Sequence, residues 1–551
     1  MRGTVVGAGA GVVDLEAERA ELARARTAVL DKLDVFAGIS GGGADALADE
    51  YIGAVVAGAI EKFQQELVVF GRIDDDHAWR VGLYGIDAGG DQLVIDWRAP
   101  FAEAFYQAGF AEPRGLARRV SYVGCIDDLF VEDFGTGEVS GSSPLMAELS
   151  RSRGAEMRTA VATLQADQDR LVRLDPTARL VLRGGPGTGK TVVGLHRAAW
   201  LVYNDTRVTA DRILVIGPSD KFLRFVSAVL PTLGEARITQ TTFGRLLGPT
   251  DAVAEDEGWI DVIDRLEASL YKPAPLMLGP VRAIPAAEVA DAIERLRDRP
   301  LPWRDRRKIF IQTLARTYEV GNDVVTRGAQ AVWPAITTRT AMTKLANKKV
   351  LRELGVDPAL IDDWAAAAKR GGGALEDEVR ARFEGVPARY SHVIVDEAQD
   401  LSLLQLRAVM RRSSGVSLVG DDAQRSNPAG IGLRRAAALL DVELEQMDTA
   451  YRMSAEIADW LNDHARASSI DAVELVGIRP TGVPVAVEGD VDGAEARLAS
   501  TWTNIAVIRA GEVWIHKGVE YDGVVVDRAQ MTPEEIYLAA SRAAHELVLV
   551  N

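Results

Sequence analysis

The feature that most constrains the fold is a glycine-rich loop between a short apolar run and a helical pattern. The run covers residues 178–183, the helical pattern begins at Val192, and the loop consists of Gly184, Gly185, Pro186, Gly187, Thr188, Gly189, Lys190 and Thr191. This order lets backbone N–H groups close around phosphates at a helix amino terminus, where unpaired donors and the helix dipole favour anions. The pattern predicts a loop that binds ATP, with Lys190 reaching the β- and γ-phosphates and Thr191 binding Mg2+.

Two acids follow a second strong strand pattern. Residues 391–395 have the composition of a buried strand, and Asp396 and Glu397 come directly after it. In α/β sheets, ligands bind beyond the carboxyl ends of the strands. We expect Asp396 to hold Mg2+ and Glu397 to orient or deprotonate the attacking water. Acids at a strand end are often helix caps, but a phosphate-binding loop upstream favours the catalytic interpretation.

The composition excludes several classes of protein. The chain has 551 residues, a net charge of -17 and one cysteine, Cys125. Proteins that hold nucleic acid mainly through its phosphates usually carry excess lysine and arginine, so the acidity disfavours that class. One cysteine excludes an internal disulfide and a thiolate zinc site, and no apolar run is long enough to span a membrane. We expect a cytoplasmic protein without a membrane partner, in which Cys125 is a small core residue.

Short apolar strands that alternate with helices from Arg179 onwards predict an α/β fold with a parallel sheet. The glycine-rich loop, the Asp396-Glu397 pair and two downstream arginine motifs predict that this fold consists of two RecA-like P-loop lobes. A mostly helical stretch predicts an insertion in the first lobe. An amino-terminal helical hairpin and a small β-rich segment precede the lobes. The predicted segments are the hairpin or coiled coil (1–69), the β-rich segment (70–144), the first lobe (145–250), its mainly helical insertion (251–387), the rest of the first lobe (388–435) and the second lobe (436–551).

The hairpin prediction depends on an apolar heptad and on a glycine break. Apolar residues recur every seventh position over 15–36, Gly41 to Gly43 interrupt the pattern, and a second helical pattern covers 44–69. Two interpretations remain open for this hairpin. It packs against the body of the protein, or it projects and binds a partner.

Six further stretches resemble motifs of the UvrD and Rep class of superfamily one helicases. In chain order they are 164–168 (Leu-Gln-Ala-Asp-Gln, the Q motif), 396–400 (Asp-Glu-Ala-Gln-Asp, motif II), 419–424 (Val-Gly-Asp-Asp-Ala-Gln, motif III), 450–452 (Ala-Tyr-Arg, motif IV), 517–522 (Lys-Gly-Val-Glu-Tyr-Asp, motif V) and 540–543 (Ala-Ser-Arg-Ala, motif VI).

The resemblance implies a nucleotide site completed by residues of both lobes. Arginines that arrive from a second lobe neutralise charge on the transferring phosphoryl group, which couples hydrolysis to lobe closure. The implied roles are adenine recognition by Gln168, stacking on adenine by Tyr451, γ-phosphate sensing by Gln424, phosphate contacts by the arginine fingers Arg452 and Arg542, and nucleotide binding by Glu520.

The chain departs from the DNA-unwinding members of that class in three places. Residues 425–428, Arg-Ser-Asn-Pro, stand where those enzymes carry aromatic residues that stack on single-stranded bases. Motifs IV and V are too close together for the large extra domain that unwinding enzymes insert there. A long segment also precedes the Q motif, whereas a Rep-type helicase begins almost directly with it.

That preceding segment is similar to the HelD family of RNA polymerase-associated ATPases. The resemblance is carried by 70–74 (Phe-Gly-Arg-Ile-Asp), 96–100 (Asp-Trp-Arg-Ala-Pro), Phe105-Tyr106 and Trp333-Pro334. It implies an amino-terminal coiled coil in the polymerase secondary channel, an insertion that reaches towards the main channel, and ATP turnover during release from nucleic acid or recycling of stalled polymerase. Some members are linked to rifamycin tolerance. For 96–100 itself we expect a structural role, a buried tryptophan and an arginine-aspartate pair that fix the β-rich segment to the motor.

Three functions of different class follow from these patterns. The first is an ATPase that binds core RNA polymerase and contacts nucleic acid only weakly or indirectly. The second is a Rep-type single-stranded DNA translocase or helicase, which the acidity and the missing aromatics disfavour. The third is a motor-derived binding module with little hydrolysis, which requires a lost catalytic residue, and none is lost.

Overall fold

The computed structural model describes residues 13–40, 69–123, 126–141, 143, 164–233, 235 and 237–551. The predicted second helix of the hairpin, 44–69, lies outside these residues except for Val69, which begins a strand. Cys125 also lies outside them. Among the described residues, no helix is both long enough and apolar enough to cross a membrane.

The described residues of the amino-terminal part form two α-helices and a seven-stranded sheet. The sheet follows the order β3-β4-β2-β1-β5-β6-β7, with β2 and β4 parallel and the other neighbours antiparallel. The elements are α1 (Leu15–Ser40), β1 (Val69–Asp74), β2 (Ala78–Gly82), β3 (Ile86–Ala88), β4 (Asp91–Asp96), α2 (Glu103–Gln107), β5 (Arg118–Val123), β6 (Asp128–Asp133) and β7 (Glu138–Ser140).

The first half of helix α1 packs against this sheet. Leu22 is buried in the same apolar cluster as Tyr122, and Glu18 accepts hydrogen bonds from Tyr122, Arg72 and Arg80. Burial opposes ionisation of Glu18, but the hydrogen bond from Tyr122 and the charges of Arg80 and Arg72 outweigh it and lower the pKa. Of the two interpretations of the predicted hairpin, packing holds for this half of the helix.

The phosphate-loop region follows as alternating strands and helices. The strands Leu180–Gly184 and Ile213–Ile216 are mainly apolar and buried, as expected when helices cover both faces of a parallel sheet. The third strand, Thr239–Thr241, is polar and lies at the sheet edge. The elements are α3 (Ala166–Val172), β8 (Leu180–Gly184), α4 (Lys190–Asn204), β9 (Ile213–Ile216), α5 (Asp220–Thr232), β10 (Thr239–Thr241) and α6 (Phe243–Leu247).

A helical block separates β10 from the next strand of the same sheet. Its core contains four buried tryptophans, of which Trp259 and Trp364 stack with ring centroids 4.2 Å apart. Three of its helices, which end at Leu270, Arg297 and Val332, stop two or three residues before a proline. Proline supplies no N–H donor and so does not continue a helix. The elements are α7 (Trp259–Leu270), β11 (Leu276–Met277), β12 (Ala283–Ile284), α8 (Ala286–Arg297), α9 (Trp303–Thr317), α10 (Asn322–Val332), α11 (Thr338–Leu345), α12 (Lys348–Glu353), α13 (Ile361–Arg370) and α14 (Gly373–Phe383).

The chain then returns to the first sheet. All neighbours in this six-stranded sheet are parallel, in the order β10-β9-β13-β14-β8-β15. The returning elements are β13 (Tyr390–Val395), α15 (Leu403–Arg412), β14 (Ser413–Gly420), α16 (Leu433–Leu440) and β15 (Leu444–Met447).

One predicted boundary needs correction. The sequence predicts a first lobe that ends at 435 and a second lobe over 436–551. In the structure, however, β15 pairs with β8, the strand that leads into the phosphate loop. Strand β15 reads Leu-Glu-Gln-Met and lies at the sheet edge. A short, half-polar edge strand has no apolar run to mark it, so the pattern did not reveal that it belongs to the first sheet.

The last part of the chain forms a second parallel sheet, in the order β18-β21-β20-β19. A two-stranded parallel pair connects it to β15. The elements are β16 (Thr449–Ala450), α17 (Ala455–Ala467), β17 (Val476–Gly477), β18 (Ala486–Glu488), α18 (Val491–Thr501), β19 (Ile505–Ile508), β20 (Tyr521–Asp527), α19 (Pro533–Ala540) and β21 (Ala543–Val550). Single 3-10 turns cover Pro100–Ala102, Ala210–Arg212, Ala398–Asp400, Asp422–Gln424 and Val513–His516.

Candidate nucleotide-binding site

The glycine-rich loop leaves the buried end of β8 and closes on the first turn of α4. Gly187 and Gly189 have φ angles of 74° and 85°, in the left-handed region that glycine adopts without a steric penalty. An added Cβ at Gly189 would lie 2.6 Å from the side-chain nitrogen of Gln168. Glycine at 189 is therefore required by both the backbone turn and the close approach of Gln168.

The side chains of the loop fold over its own backbone. Thr188 donates a hydrogen bond to the carbonyl of Gly185 over 2.9 Å, and the Lys190 ammonium lies 3.4 Å from the same carbonyl. Lys190 begins α4, so its charge stands at the amino terminus of a helix that already favours anions. The arrangement fits a loop that receives phosphate groups.

The two predicted Mg2+ ligands lie side by side. The Thr191 hydroxyl donates to the Asp396 carboxylate over 2.8 Å, although the two residues belong to different strand-loop units. Burial and the neighbouring Glu397 charge raise the pKa of Asp396 to about 6. A hydroxyl and a carboxylate are oxygen donors of the kind Mg2+ prefers, and the remaining positions would be filled by phosphate oxygens and water. These residues therefore fit Mg2+.

Glu397 stands beyond the end of β13 in a left-handed backbone conformation, with φ 54°. Its carboxylate accepts a hydrogen bond from Gln399 over 2.6 Å and lies 3.4 Å from the Lys517 ammonium. Burial opposes ionisation of Glu397, but the charges of Lys517 and Lys190 outweigh it and lower the pKa. An ionised carboxylate at this point is able to accept a proton from water.

Gln424 connects the two parallel sheets. Its side-chain oxygen accepts a hydrogen bond from Arg542 over 2.8 Å, and its side-chain nitrogen donates to Asp421 over 3.0 Å. Arg542 follows α19 and is 6% exposed, and its burial lowers the pKa of the guanidinium. The predicted γ-phosphate sensor and the second predicted arginine finger are therefore in direct contact.

Tyr451 and Gln168 each form a hydrogen bond with the backbone of the phosphate loop, at Gly187 and Thr188. The Tyr451 backbone N–H donates to the carbonyl of Gly187 over 3.0 Å, and its hydroxyl lies 3.3 Å from Asp167. The Gln168 side chain donates to the carbonyl of Thr188 over 3.0 Å. The two residues predicted to contact adenine therefore both contact the phosphate loop.

Arg452 and Glu520 form an ion pair with each other, with 3.0 Å between nitrogen and oxygen. An added Cβ on Gly187 would lie 3.6 Å from the Cβ of Arg452, so this arginine also stands against the phosphate loop. The Glu520 carboxylate also favours the charged form of the Arg542 guanidinium, so the same acid acts on both predicted arginine fingers. Arg452 stands against the phosphate loop, and Arg542 contacts Gln424.

Lys517 belongs to this site although sequence reasoning did not single it out. Its ammonium lies 3.4 Å from Glu397, 2.7 Å from Asp400 and 2.8 Å from the carbonyl of Gln424. The available signal was its position at the start of motif V. A lysine beside motif II was not predictable from spacing, because the second sheet brings it there from far along the chain.

The segment 96–100 fixes the amino-terminal sheet to the phosphate-loop region, as expected. Trp97 is fully buried against His196 of α4, with ring centroids 5.3 Å apart. Arg98 pairs with Asp96 over 2.8 Å and with Glu235 over 2.9 Å. These contacts hold two parts of the protein together and place none of the three side chains in the phosphate loop.

Comparisons with known proteins find two domain families in the chain. Residues 13–124 match the N-terminal domain of DNA helicase IV HelD, and residues 168–429 match an AAA domain. No curated protein matches the chain.

The solved structures with which the chain aligns include viral helicases. A complex of Arterivirus nonstructural protein 10 (helicase) with DNA is 12% identical, with a TM-score of 0.32, over 78% of this chain and 73% of that chain. The PRRSV helicase is 10% identical, with a TM-score of 0.30, over 80% of this chain and 62% of that chain.

Proposed function

Because the chain belongs to the HelD family, we propose that it is an ATP-hydrolysing motor that binds RNA polymerase. In this proposal the two parallel sheets are RecA-like lobes, and the helical block 254–383 is an insertion in the first. ATP turnover accompanies release of the polymerase from nucleic acid or recycling of stalled complexes. A contribution to rifamycin tolerance belongs to the same proposal.

The proposed ATPase activity rests on one observation, which is that side chains of the two parallel sheets contact each other beside the phosphate loop. Arg542 contacts Gln424, and Lys517 stands beside Glu397, so cationic groups of the second sheet face the acids of the first. In phosphoryl transfer, positioned cations stabilise the charge that spreads over the transferring group. ATP and Mg2+ would be held by the loop, by Thr191 and by Asp396, while Glu397 accepts the proton of the attacking water.

The structure of the loop after Gln424 favours the polymerase-binding function over translocation along single-stranded DNA. Ser426 and Asn427 are both held by the Asp400 carboxylate, which also binds Lys517. This loop is therefore built into the interface between the sheets and carries no aromatic platform for bases. The Rep-type translocase remains the second candidate, since its ATP site would need the same residues.

The charge of the chain supports the same choice of partner. A net charge of -17 opposes binding to a phosphate backbone and suits the basic channels of an enzyme that itself holds nucleic acid. We assign the amino-terminal part to the polymerase secondary channel and the helical insertion to the main channel side. Both assignments rest on the family, and nucleic acid contacts are weak or indirect in this proposal.

Co-migration on size exclusion tests the partner. The purified protein is run with core RNA polymerase, and in parallel its retention of fluorescent single-stranded DNA is measured at physiological salt. We expect a stable polymerase complex and little DNA retention. DNA binding without a polymerase complex would overturn the proposal in favour of a translocase. A control variant, Asp463→Asn at an exposed pair with Arg466 in α17, lies outside both assigned contact regions and separates specific binding from general charge effects.

A further inference from the structure

Helix α3 lies between the phosphate loop and the amino-terminal sheet domain. On the loop side, Gln168 donates to the carbonyl of Thr188, and Asp167 lies 3.3 Å from the Tyr451 hydroxyl. The residues of α3 that face the candidate adenine site therefore occupy one end of a helix that is only seven residues long.

The other side of α3 is held by the amino-terminal domain. Asp169 is fully buried. It accepts a hydrogen bond from the Gln107 side chain over 2.7 Å and forms an ion pair with Arg173 over 2.9 Å. Arg173 in turn donates to the backbone carbonyls of Trp97 and Ala99, over 2.9 and 3.2 Å. One buried carboxylate thus joins α3 to Gln107, the last residue of α2 in the amino-terminal domain.

A helix of seven residues is too short to be stable without tertiary contacts. Isolated helices shorter than about 12 residues are marginal in water, so tertiary contacts decide where α3 stands. At its carboxyl end, the buried Arg197 donates to the carbonyls of Val172 and Leu174, which attaches α3 to α4. The capping box of Gln165 and Gln168 closes the amino end. Gln107 adds a hydrogen bond from α2 to α3, beside the contact of Tyr106 with Arg173. A variant without this hydrogen bond keeps the contacts at both ends of α3 and is able to fold, but the position of α3 against α2 is less firmly set.

Resting on the proposed ATPase function, we propose that Gln107 is a positioning residue for the nucleotide. Through Asp169 it fixes the placement of α3, and with it the placement of Gln168 and Asp167 against the phosphate loop. The amino-terminal domain therefore contributes to adenine recognition without touching the nucleotide. A partner bound to that domain and a nucleotide bound to the loop then alter each other's affinity by the same factor, because coupling between sites is reciprocal.

The variant Gln107→Ala tests this role in the full chain. The change removes one hydrogen bond to a charged group, and we expect the KM for ATP to rise about three- to tenfold while kcat changes little. We also expect the preference for ATP over GTP, measured as the ratio of the two kcat/KM values, to fall. A purely structural role for Gln107 would not alter base preference. Fluorescent ATP binding gives the same comparison without turnover.

Gln92→Ala is the matched control. Gln92 lies in the same sheet domain, and its side-chain amide donates to the carbonyls of Ile86 and Val94, both within that domain. The KM for ATP and the base preference of Gln92→Ala should equal those of the unchanged protein. Thermal unfolding of both variants shows whether they fold.

Four outcomes overturn the inference. The first is an unchanged KM and base preference in folded Gln107→Ala, the second is a loss of kcat alone, and the third is an equal effect in Gln92→Ala. The fourth applies if Gln107→Ala does not fold. In that case Gln107→Asn, which keeps a shorter amide, is tested, and normal ATP binding by folded Gln107→Asn overturns the inference. If the unchanged protein binds no ATP, the proposed function fails as well. If it hydrolyses ATP and only the variant result is negative, the proposed function stands and the role of Gln107 does not.

Discussion

The Arg542 guanidinium donates a hydrogen bond to the side-chain oxygen of Gln424 over 2.8 Å, which links the two parallel sheets at the phosphate loop. Arg542 is also buried, so its charge is poorly screened by solvent. If the site hydrolyses ATP as proposed, a charge of one sheet acts on a nucleotide held by the other, and turnover then depends on the relative position of the two sheets.

Arg542→Ala should abolish turnover with little loss of ATP binding. Arginine fingers act mainly on the transition state, and their removal costs about a thousandfold or more in kcat. Steady-state hydrolysis and fluorescent-ATP binding measure the two effects. Arg497→Ala is the control, because Arg497 pairs with Glu488 and Glu546 on the exposed side of the same sheet. Normal hydrolysis by Arg542→Ala would remove the arginine from the mechanism.

Lys517→Met should lower kcat and change its pH dependence. The charge of Lys517 is the first of the attractive effects that lower the pKa of Glu397, so its removal raises that pKa. A carboxylate acts as base only when ionised, and the acidic limb of the kcat profile should therefore move to higher pH. We expect a fall in kcat of about tenfold. Lys348→Met, which breaks a surface pair with Asp362, should leave the profile in place. An unmoved acidic limb in Lys517→Met would contradict this account.

Glu378→Gln should destabilise the helical insertion. Glu378 is 2% exposed and pairs with Arg407 and Arg411 of α15, the helix that follows the Asp396-Glu397 turn. Arg407 is partly exposed and Arg411 also pairs with Asp377, so the cost stays below that of a fully buried pair. We expect a loss of about 1.5–3 kcal/mol, as for hydrogen bonds to a charged group. Chemical denaturation measures the loss. Glu294→Gln, at a solvent-exposed pair with Arg297, should change stability by less than about 1 kcal/mol.

Stability should fall as the pH drops below about 6.5, because two histidines are buried in neutral form. Burial lowers the pKa of His392 to about 3 and that of His196 to about 4. Between these values and the unfolded pKa, the unfolded chain binds more protons than the folded one, so acid favours unfolding. The effect at pH 5 is about 2 kcal/mol for each histidine. His392→Gln should flatten the slope of unfolding free energy against pH, and an unchanged slope would show that His392 does not contribute to it.

The phosphate loop and the acids were accessible from the sequence because each is a contiguous pattern with a local physical cause. Glycine at 187 and 189 follows from the backbone turn, and Asp396 follows from its position after an apolar strand. The tertiary contacts of these residues have no comparable local pattern in the sequence. The hydrogen bond from Thr191 to Asp396 joins residues 205 positions apart, and its prediction required knowledge of the strand order.

The parts that sequence reasoning missed depend on pairings without a local signal. Strand β15 is short and half polar, and only its pairing with β8 assigns it to the first sheet. Lys517 becomes a site residue only when the second sheet is placed against Glu397. The contact of Gln107 with Asp169 spans two domains and has no counterpart in periodicity or spacing.

The central claim is that this site hydrolyses ATP with Glu397 as the proton acceptor, and Glu397→Gln tests it most directly. The amide keeps the shape of the side chain but cannot take a proton, so we expect ATP affinity to be retained and kcat to fall about a hundredfold or more. Glu257→Gln, at an exposed pair with Arg435, serves as the control. Phosphate release is measured beside fluorescent-ATP binding. Bound ATP without turnover is the predicted result, and turnover by Glu397→Gln at the rate of the unchanged protein would contradict the account.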